Sequence, residues 1–188
     1  QLDTTAPSSL SLDTVAGDNR ISGSERAAGV SLSGKTESGS AVNVSIGSWS
    51  GVATVKNSTW SYTLTNSDYE AIGTGLKTLN VISSDLAGNT SSVSRDIEIP
   101  SAPLVLQLES DTGASSSDGI TKNGKVLISG LLSQADWQYS LDNGKNWTSG
   151  SNSSVTLSGD GSKSIIAQQR VNGIWSDAST ALNFQLDT

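Results

Sequence analysis

The sequence contains no cysteine, no methionine and no histidine. Without cysteine no disulfide can staple the chain. Without cysteine or histidine, neither an ordinary zinc site nor a Ser-His-Asp or Cys-His nucleophile can be assembled. Any bound metal must be held by oxygen, and oxygen-only ligand sets suit Ca2+. Aromatic residues make up 5% of the chain, with a single Phe. Basic residues are the minority charge, 11 Lys and Arg against 18 Asp and Glu, leaving a net charge of −7. That sign argues against nucleic acid or anionic membrane as the main partner. No apolar run approaches the ~20 residues of a membrane span, so no direct membrane insertion is expected, and the opening residues do not read as a signal peptide. Nor does any long stretch repeat apolar residues at i, i+3, i+4 and i+7, the mark of an amphipathic helix.

What fills the 188 residues instead is Ser, Thr, Gly and Asn. Hydrophobic residues are 34%, below the usual ~45–50%, as short strands joined by many turns require. Each half of the chain is close to the ~100 residues of an immunoglobulin-like sandwich. The tetrapeptide Gln1-Leu2-Asp3-Thr4 returns as Gln185-Leu186-Asp187-Thr188, the expectation for a fragment cut at a repeat boundary. A degraded third copy lies between them. Leu2-Asp3-Thr4-Thr5-Ala6-Pro7 aligns with Glu98-Ile99-Pro100-Ser101-Ala102-Pro103 through the shared Ala-Pro, which places a domain boundary near Pro100, with modules at 1–99 and 100–188.

Internal matches follow that seam. Leu10-Ser11-Leu12 corresponds to Leu106-Gln107-Leu108, and Val30-Ser31-Leu32 to Val126-Leu127-Ile128. Period-two alternation runs through Val42/Val44/Ile46, Trp60/Tyr62/Leu64, Leu79/Val81 and Trp137/Tyr139/Leu141. Asp142-Asn143-Gly144 and Gly159-Asp160-Gly161 are hairpin-type turn sequences. About seven short strands per module predict an all-β protein of two tandem immunoglobulin-like Greek-key β-sandwiches.

A carboxylate pair is the remaining route to catalysis, through glycoside hydrolysis. Its candidates, Asp136 and Asp142, fall on a strand and a hairpin turn with no cleft-forming scaffold, so no enzyme is expected. Carboxylates cluster instead in loops: Asp13, Asp18, Asn19 and Glu25 after the first strand, Asp111 and Asp118 in the matching loop, and Asp85 with Asn89 late in module one. Asp, Asn and Gly also make ordinary turns, and none of these loops has the EF-hand spacing. Sandwich topology brings Asp85 and Asn89 beside Asp3, and Asp111 and Asp118 beside Asp187. Like charges converging there repel unless a cation joins them.

At this point the residues resemble a family. Asp-Thr-Thr-Ala-Pro at 3–7, Asp18-Asn19-x-Ile and Asp-x-Ala-Gly-Asn at 85–89 look like the bacterial immunoglobulin-like repeats of giant RTX-type and biofilm-associated adhesins. Asp-Thr-Gly at 111–113, Ser-Asp-Gly-Ile-Thr at 117–121 and Trp-x-Tyr-Ser-x-Asp-x-Gly-x-x-Trp at 137–147 resemble a second repeat type of the same proteins. The resemblance implies extracellular modules on the bacterial cell surface, strung in tandem with neighbouring repeats of the same chain and monomeric as a fragment. It also implies that Ca2+ near the linkers stiffens the string. Ligand roles then fall on Asp3, Asp13, Asp18, Asn19, Glu25, Asp85, Asn89, Asp111, Asp118 and Asp187. The rival readings are a module that itself grips a carbohydrate or a protein, and an accessory module of a secreted polysaccharide-degrading enzyme.

Two departures bear on the boundary near Pro100. On the alignment above Ile99 stands where the first linker has Asp3. Matching Gly88 to Gly173 puts Arg170 and Ile174 in place of Asp85 and Asn89. The expectation is a boundary held by packing and linker stiffness, with calcium confined to module one's first loop. Of five tryptophans, Trp60, Trp137 and Trp147 are expected in cores, and Trp49 and Trp175 exposed near that boundary. The Asn-x-Ser/Thr sequons are those that chance supplies in so Ser- and Thr-rich a chain.

Overall fold

The computed structural model describes residues 2–188, and the chain divides into two compact units, Gln1–Pro100 and Ser101–Thr188. In the first, the apolar alternations become buried faces. Strand β1 spans Ser31–Lys35, β2 Ala41–Ile46, β3 Trp49–Val52, β4 Thr54–Lys56, β5 Thr59–Thr63, β6 Gly75–Ser84 and β7 Thr90–Ile99. One sheet has the order β3-β2-β6-β7 and the other β1-β5-β4. Leu10–Asp13 extends the second sheet along β1, with Ser11 N–H donating to the Lys35 carbonyl and Asp13 N–H to that of Ser33. Val42, Val44, Ile46, Leu79 and Val81 from the first sheet meet Leu32 and Trp60 from the second in one core. Each such side chain contributes roughly 1.5–3 kcal/mol by leaving water. Hairpins stay within a sheet and the other connections cross between sheets, giving the Greek-key immunoglobulin-like topology. Gly34 lets the leading segment lie close, since a Cβ there would overlap the Ser11 carbonyl, which accepts the Trp60 Nε1–H bond at 3.0 Å.

Two short helices occupy stretches that periodicity leaves as loop, because six or seven residues are too few to display a helical repeat. Helix α1 (Gly23–Ala28) and helix α2 (Asn66–Ile72) both start with a capping box, Ser22 with Glu25 and Thr65 with Asp68. Asp68 also accepts from Trp49 Nε1–H at 2.9 Å and Tyr62 Oη–H at 3.2 Å. Burial pushes its carboxyl up, but the bonds from Thr65, Trp49 and Tyr62 outweigh that and hold it below the ordinary range. Trp49, expected exposed, is therefore buried. Its ring meets Tyr62 edge-on at 5.2 Å and its one polar atom has a carboxylate partner.

In the second unit β8 spans Val105–Leu108, β9 Ile120–Thr121, β10 Lys125–Ser129, β11 Asp136–Ser140, β12 Thr148–Ser149, β13 Ser154–Thr156, β14 Gly161–Val171, β15 Ile174–Trp175 and β16 Leu182–Leu186. The sheets are β13-β10-β8 and β12-β11-β14-β16-β9, with β15 added to β14. Val126, Ile165, Phe184 and Leu186 fill one part of the core, and Leu104, Ile128, Trp137 and Ala167 the other. Three expectations are corrected. Gly159-Asp160-Gly161 is no hairpin, because it carries the chain from β13 to β14 in the opposite sheet. Leu141 lies beyond β11 and is exposed, and Trp147 is only half-buried. Gln169, which no pattern marks, is fully buried. Its Oε1 accepts from Leu132 N–H at 2.9 Å, and its Nε2 donates to the carbonyls of Ala102 and Gly130, each at 3.0 Å.

Candidate metal centre

The β6–β7 turn of the first unit gathers oxygen around Asp85. Asn89 N–H donates to Asp85 Oδ1 at 2.8 Å, while Asn89 Nδ2 donates to Asp85 Oδ2 at 2.9 Å and to the Asp3 carbonyl at 3.2 Å. The Asn89 side-chain bond, with main-chain donors behind it, holds the Asp85 carboxyl below its ordinary value. Asp3 Oδ1 caps Thr5 N–H at 3.0 Å. Asp3 and Asp85 share a concavity of about 160 Å³ with Glu37, whose Oε2 accepts from Ser8 N–H at 2.8 Å. Sequence reasoning missed Glu37. The signal was its place in the β1–β2 turn, which sandwich topology puts at the same pole as the β6–β7 turn. The Asn89 amide bridges the Asp85 carboxylate and the Asp3 carbonyl, as a cation would, and the amide turned over presents oxygen instead.

The second unit has no counterpart to this turn. Val171 pairs with Ile174 across the two residues Asn172 and Gly173. Arg170 and Ile174 both lie on strands, with Arg170 opposite Trp175. The hairpin is shortened as well as changed in sequence.

At the other pole of the second unit, Asp111 Oδ2 accepts from Gly119 N–H at 2.9 Å, and Asp118 Oδ1 accepts from Ile120 N–H at 3.0 Å. Strand β9 then runs parallel to β16, and Asp187 N–H donates to the Thr121 carbonyl at 3.0 Å. These contacts bring the Asp111 loop and Asp187 to one pole. Asp111 Oδ1 is buried and has no hydrogen-bond donor. A buried carboxylate oxygen left unpaired is costly.

The loop at 13–25 differs. Asp13 Oδ2 accepts from Ser33 Oγ at 2.8 Å, and Asp18 Oδ1 from Arg20 N–H at 2.9 Å. Asn19 Oδ1 accepts from Val15 N–H at 3.1 Å. Glu25 Oε2 belongs to the α1 capping box, taking Ser22 N–H at 2.9 Å and Ser22 Oγ at 2.6 Å. Nowhere among the described residues do three acidic side chains come close enough to hold a metal ion. A hard cation would need main-chain carbonyls and water beside one or two carboxylates. The donors at Asp111 and at Asp85 fit that description, whereas in loop 13–25 the bonded oxygens serve the turn and the α1 cap.

No protein-family model matches this sequence, and neither does any curated protein. Solved structures do resemble it. One is from a 1.5-MDa bacterial ice-binding adhesin, 20% identical over 98% of this chain and 65% of that one, with a TM-score of 0.40. A second is from a Ca2+-stabilized adhesin with which an Antarctic bacterium binds ice, 18% identical over 98% of this chain and 49% of that one, at 0.41. A third is a tetra-tandem repeat in the extending region of a large adhesion protein, 20% identical over 94% of this chain and 50% of that one, at 0.37. The chain spans less than two thirds of each.

Proposed function

We propose that the chain is a pair of extracellular extender modules of a large bacterial surface adhesin, non-catalytic and stabilised by calcium. The observation that carries the calcium reading is the buried Asp111 Oδ1 without a donor, in the loop that also holds Asp118. Asp111 and Asp118 would hold the ion at that pole, with water and main-chain carbonyls completing the shell, that of Asp187 at the end of β16 among them. Asp85 would hold one at the first unit's leading pole, with Glu37, the Asp3 main-chain carbonyl and the Asn89 amide oxygen. A bound divalent ion neutralises converging carboxylates and ties a loop to the chain end, so the protein's own part is to orient oxygens. A structural role is supported by the repeated seam and by the absence of histidine and cysteine from the sequence. It is also supported by acidic side chains that serve turns and caps rather than a cleft.

Equilibrium dialysis with Ca2+ tests the reading, with Asp111→Asn and Asp85→Asn each expected to remove bound ion. One observation favours a carbohydrate-gripping module instead. An open concavity of about 450 Å³ beside Trp137 is lined by Asp136, Gln138 and Asn152. The extender reading predicts a blank glycan array, and a hit abolished by Asp136→Ala with Gln138→Ala would favour the rival.

A further inference from the structure

The two units share a turn at their trailing poles, and its hydrogen bonds fix which residues correspond. In the second unit Gln185 N–H donates to the Gly119 carbonyl at 2.8 Å; in the first, Glu98 N–H donates to the Asn19 carbonyl at 2.8 Å. The carboxylates of Asp118 and Asp18 each accept the N–H two residues on, from Ile120 and Arg20. Gly119 and Asn19 both occupy the left-handed region, at φ of 73° and 67°. Asn19, Arg20, Glu98 and Pro100 therefore stand where the second unit has Gly119, Ile120, Gln185 and Asp187. This register shifts the linker alignment by one, so the residue replacing aspartate is Pro100 and not Ile99.

The replacements change what a cation would meet. The rung from Asp187 N–H to the Thr121 carbonyl has no equivalent, because Pro100 has no N–H. The parallel pairing accordingly stops at the single bridge between Arg20 and Glu98. The N–H of Gly119 is taken by the Asp111 carboxylate, whereas that of Asn19 goes to the Val15 carbonyl at 2.7 Å. Asn19 Oδ1 closes the same ring on Val15 N–H, and the Val15 side chain is buried in the core. Where the second unit has a carboxylate oxygen without a donor, the first has a satisfied backbone turn. Into this acidic loop the sequence places one guanidinium, that of Arg20, whose Nη1 lies 3.4 Å from Glu98 Oε2.

We infer that the trailing turn of the first unit is a calcium-independent version of the one in the second, with Arg20 as its resident cation. The inference goes against the ligand roles that the family resemblance implies for Asp13, Asp18, Asn19 and Glu25. It takes from the proposed function only the comparison with Asp111.

The test counts calcium bound per chain by equilibrium dialysis, using the 188-residue protein. Asp18→Asn keeps an oxygen for the Arg20 N–H, and Asp111→Asn keeps one for Gly119. The expected result is wild-type stoichiometry in Asp18→Asn and one ion fewer in Asp111→Asn. Loss of an ion in Asp18→Asn overturns the inference. A wild-type protein that binds no calcium defeats the proposed function but leaves this inference standing on a second arm. In chelator, Arg20→Gln should lower the melting temperature, by an amount that shrinks with added salt and that calcium does not restore. An unchanged melting temperature in that variant, or its rescue by calcium, overturns the role given to Arg20.

Discussion

Asp142 shows how one carboxylate can fix a turn. It accepts from Asn146 N–H at 2.8 Å, from Ser140 Oγ at 2.7 Å and from the Asn146 side-chain amide. The main-chain donor of Asn146 leads these in lowering its pKa from the ordinary 3.8 to about 2. The folded value is depressed, so the contribution to stability is complete above the ordinary value. It is lost as pH falls from about 4 towards about 2. A carboxyl NMR titration should place its midpoint near 2, and a midpoint at the ordinary value would mean the turn is not held this way. Gln169 works through neutral bonds. Gln169→Leu strips partners from Leu132 N–H and from the carbonyls of Ala102 and Gly130. Urea unfolding should show the second unit weakened by about 2 kcal/mol, and an unchanged midpoint would show that water replaces those bonds without cost.

At the scale of elements, α2 depends on both ends of its capping box. Thr65→Ala should cost about 1 kcal/mol, the usual value of an N-cap. Asp68→Ala should cost more, because it also strands the Trp49 and Tyr62 donors. Equal losses in the two variants would show that the aromatic bonds add nothing. The strands were the legible elements, since Val42/Val44/Ile46 and Leu79/Val81 alternate cleanly and all five side chains are buried. The helices were hidden by their length, though Ser22-x-x-Glu25 and Thr65-x-x-Asp68 spelled out their starts. Ser22-x-x-Glu25 read as a cap gives Glu25 a structural role of its own. The site was legible as loops rather than as atoms. The Asp85 turn meets the Asp3 segment through Asn89, but Glu37 joined it only through the strand order. The linker shift from Ile99 to Pro100 emerged only from ladder register, because Ala-Pro anchors the alignment on one side alone.

For the whole molecule the proposal is that calcium binds the folded chain through Asp111 and Asp85 and stabilises it. A ligand that binds only the folded state adds RT ln(1 + [L]/Kd), about 2.7 kcal/mol at a hundredfold excess over Kd. The direct measurement is a thermal melt in calcium, in magnesium and in chelator, on wild type, Asp111→Asn and Asp85→Asn. Chelator should lower the wild-type melting temperature by several degrees and magnesium should restore little of it, since its strict octahedral shell suits these loops poorly. Each variant should keep only part of the calcium response. Melting curves that coincide in calcium and in chelator would contradict calcium-dependent stability.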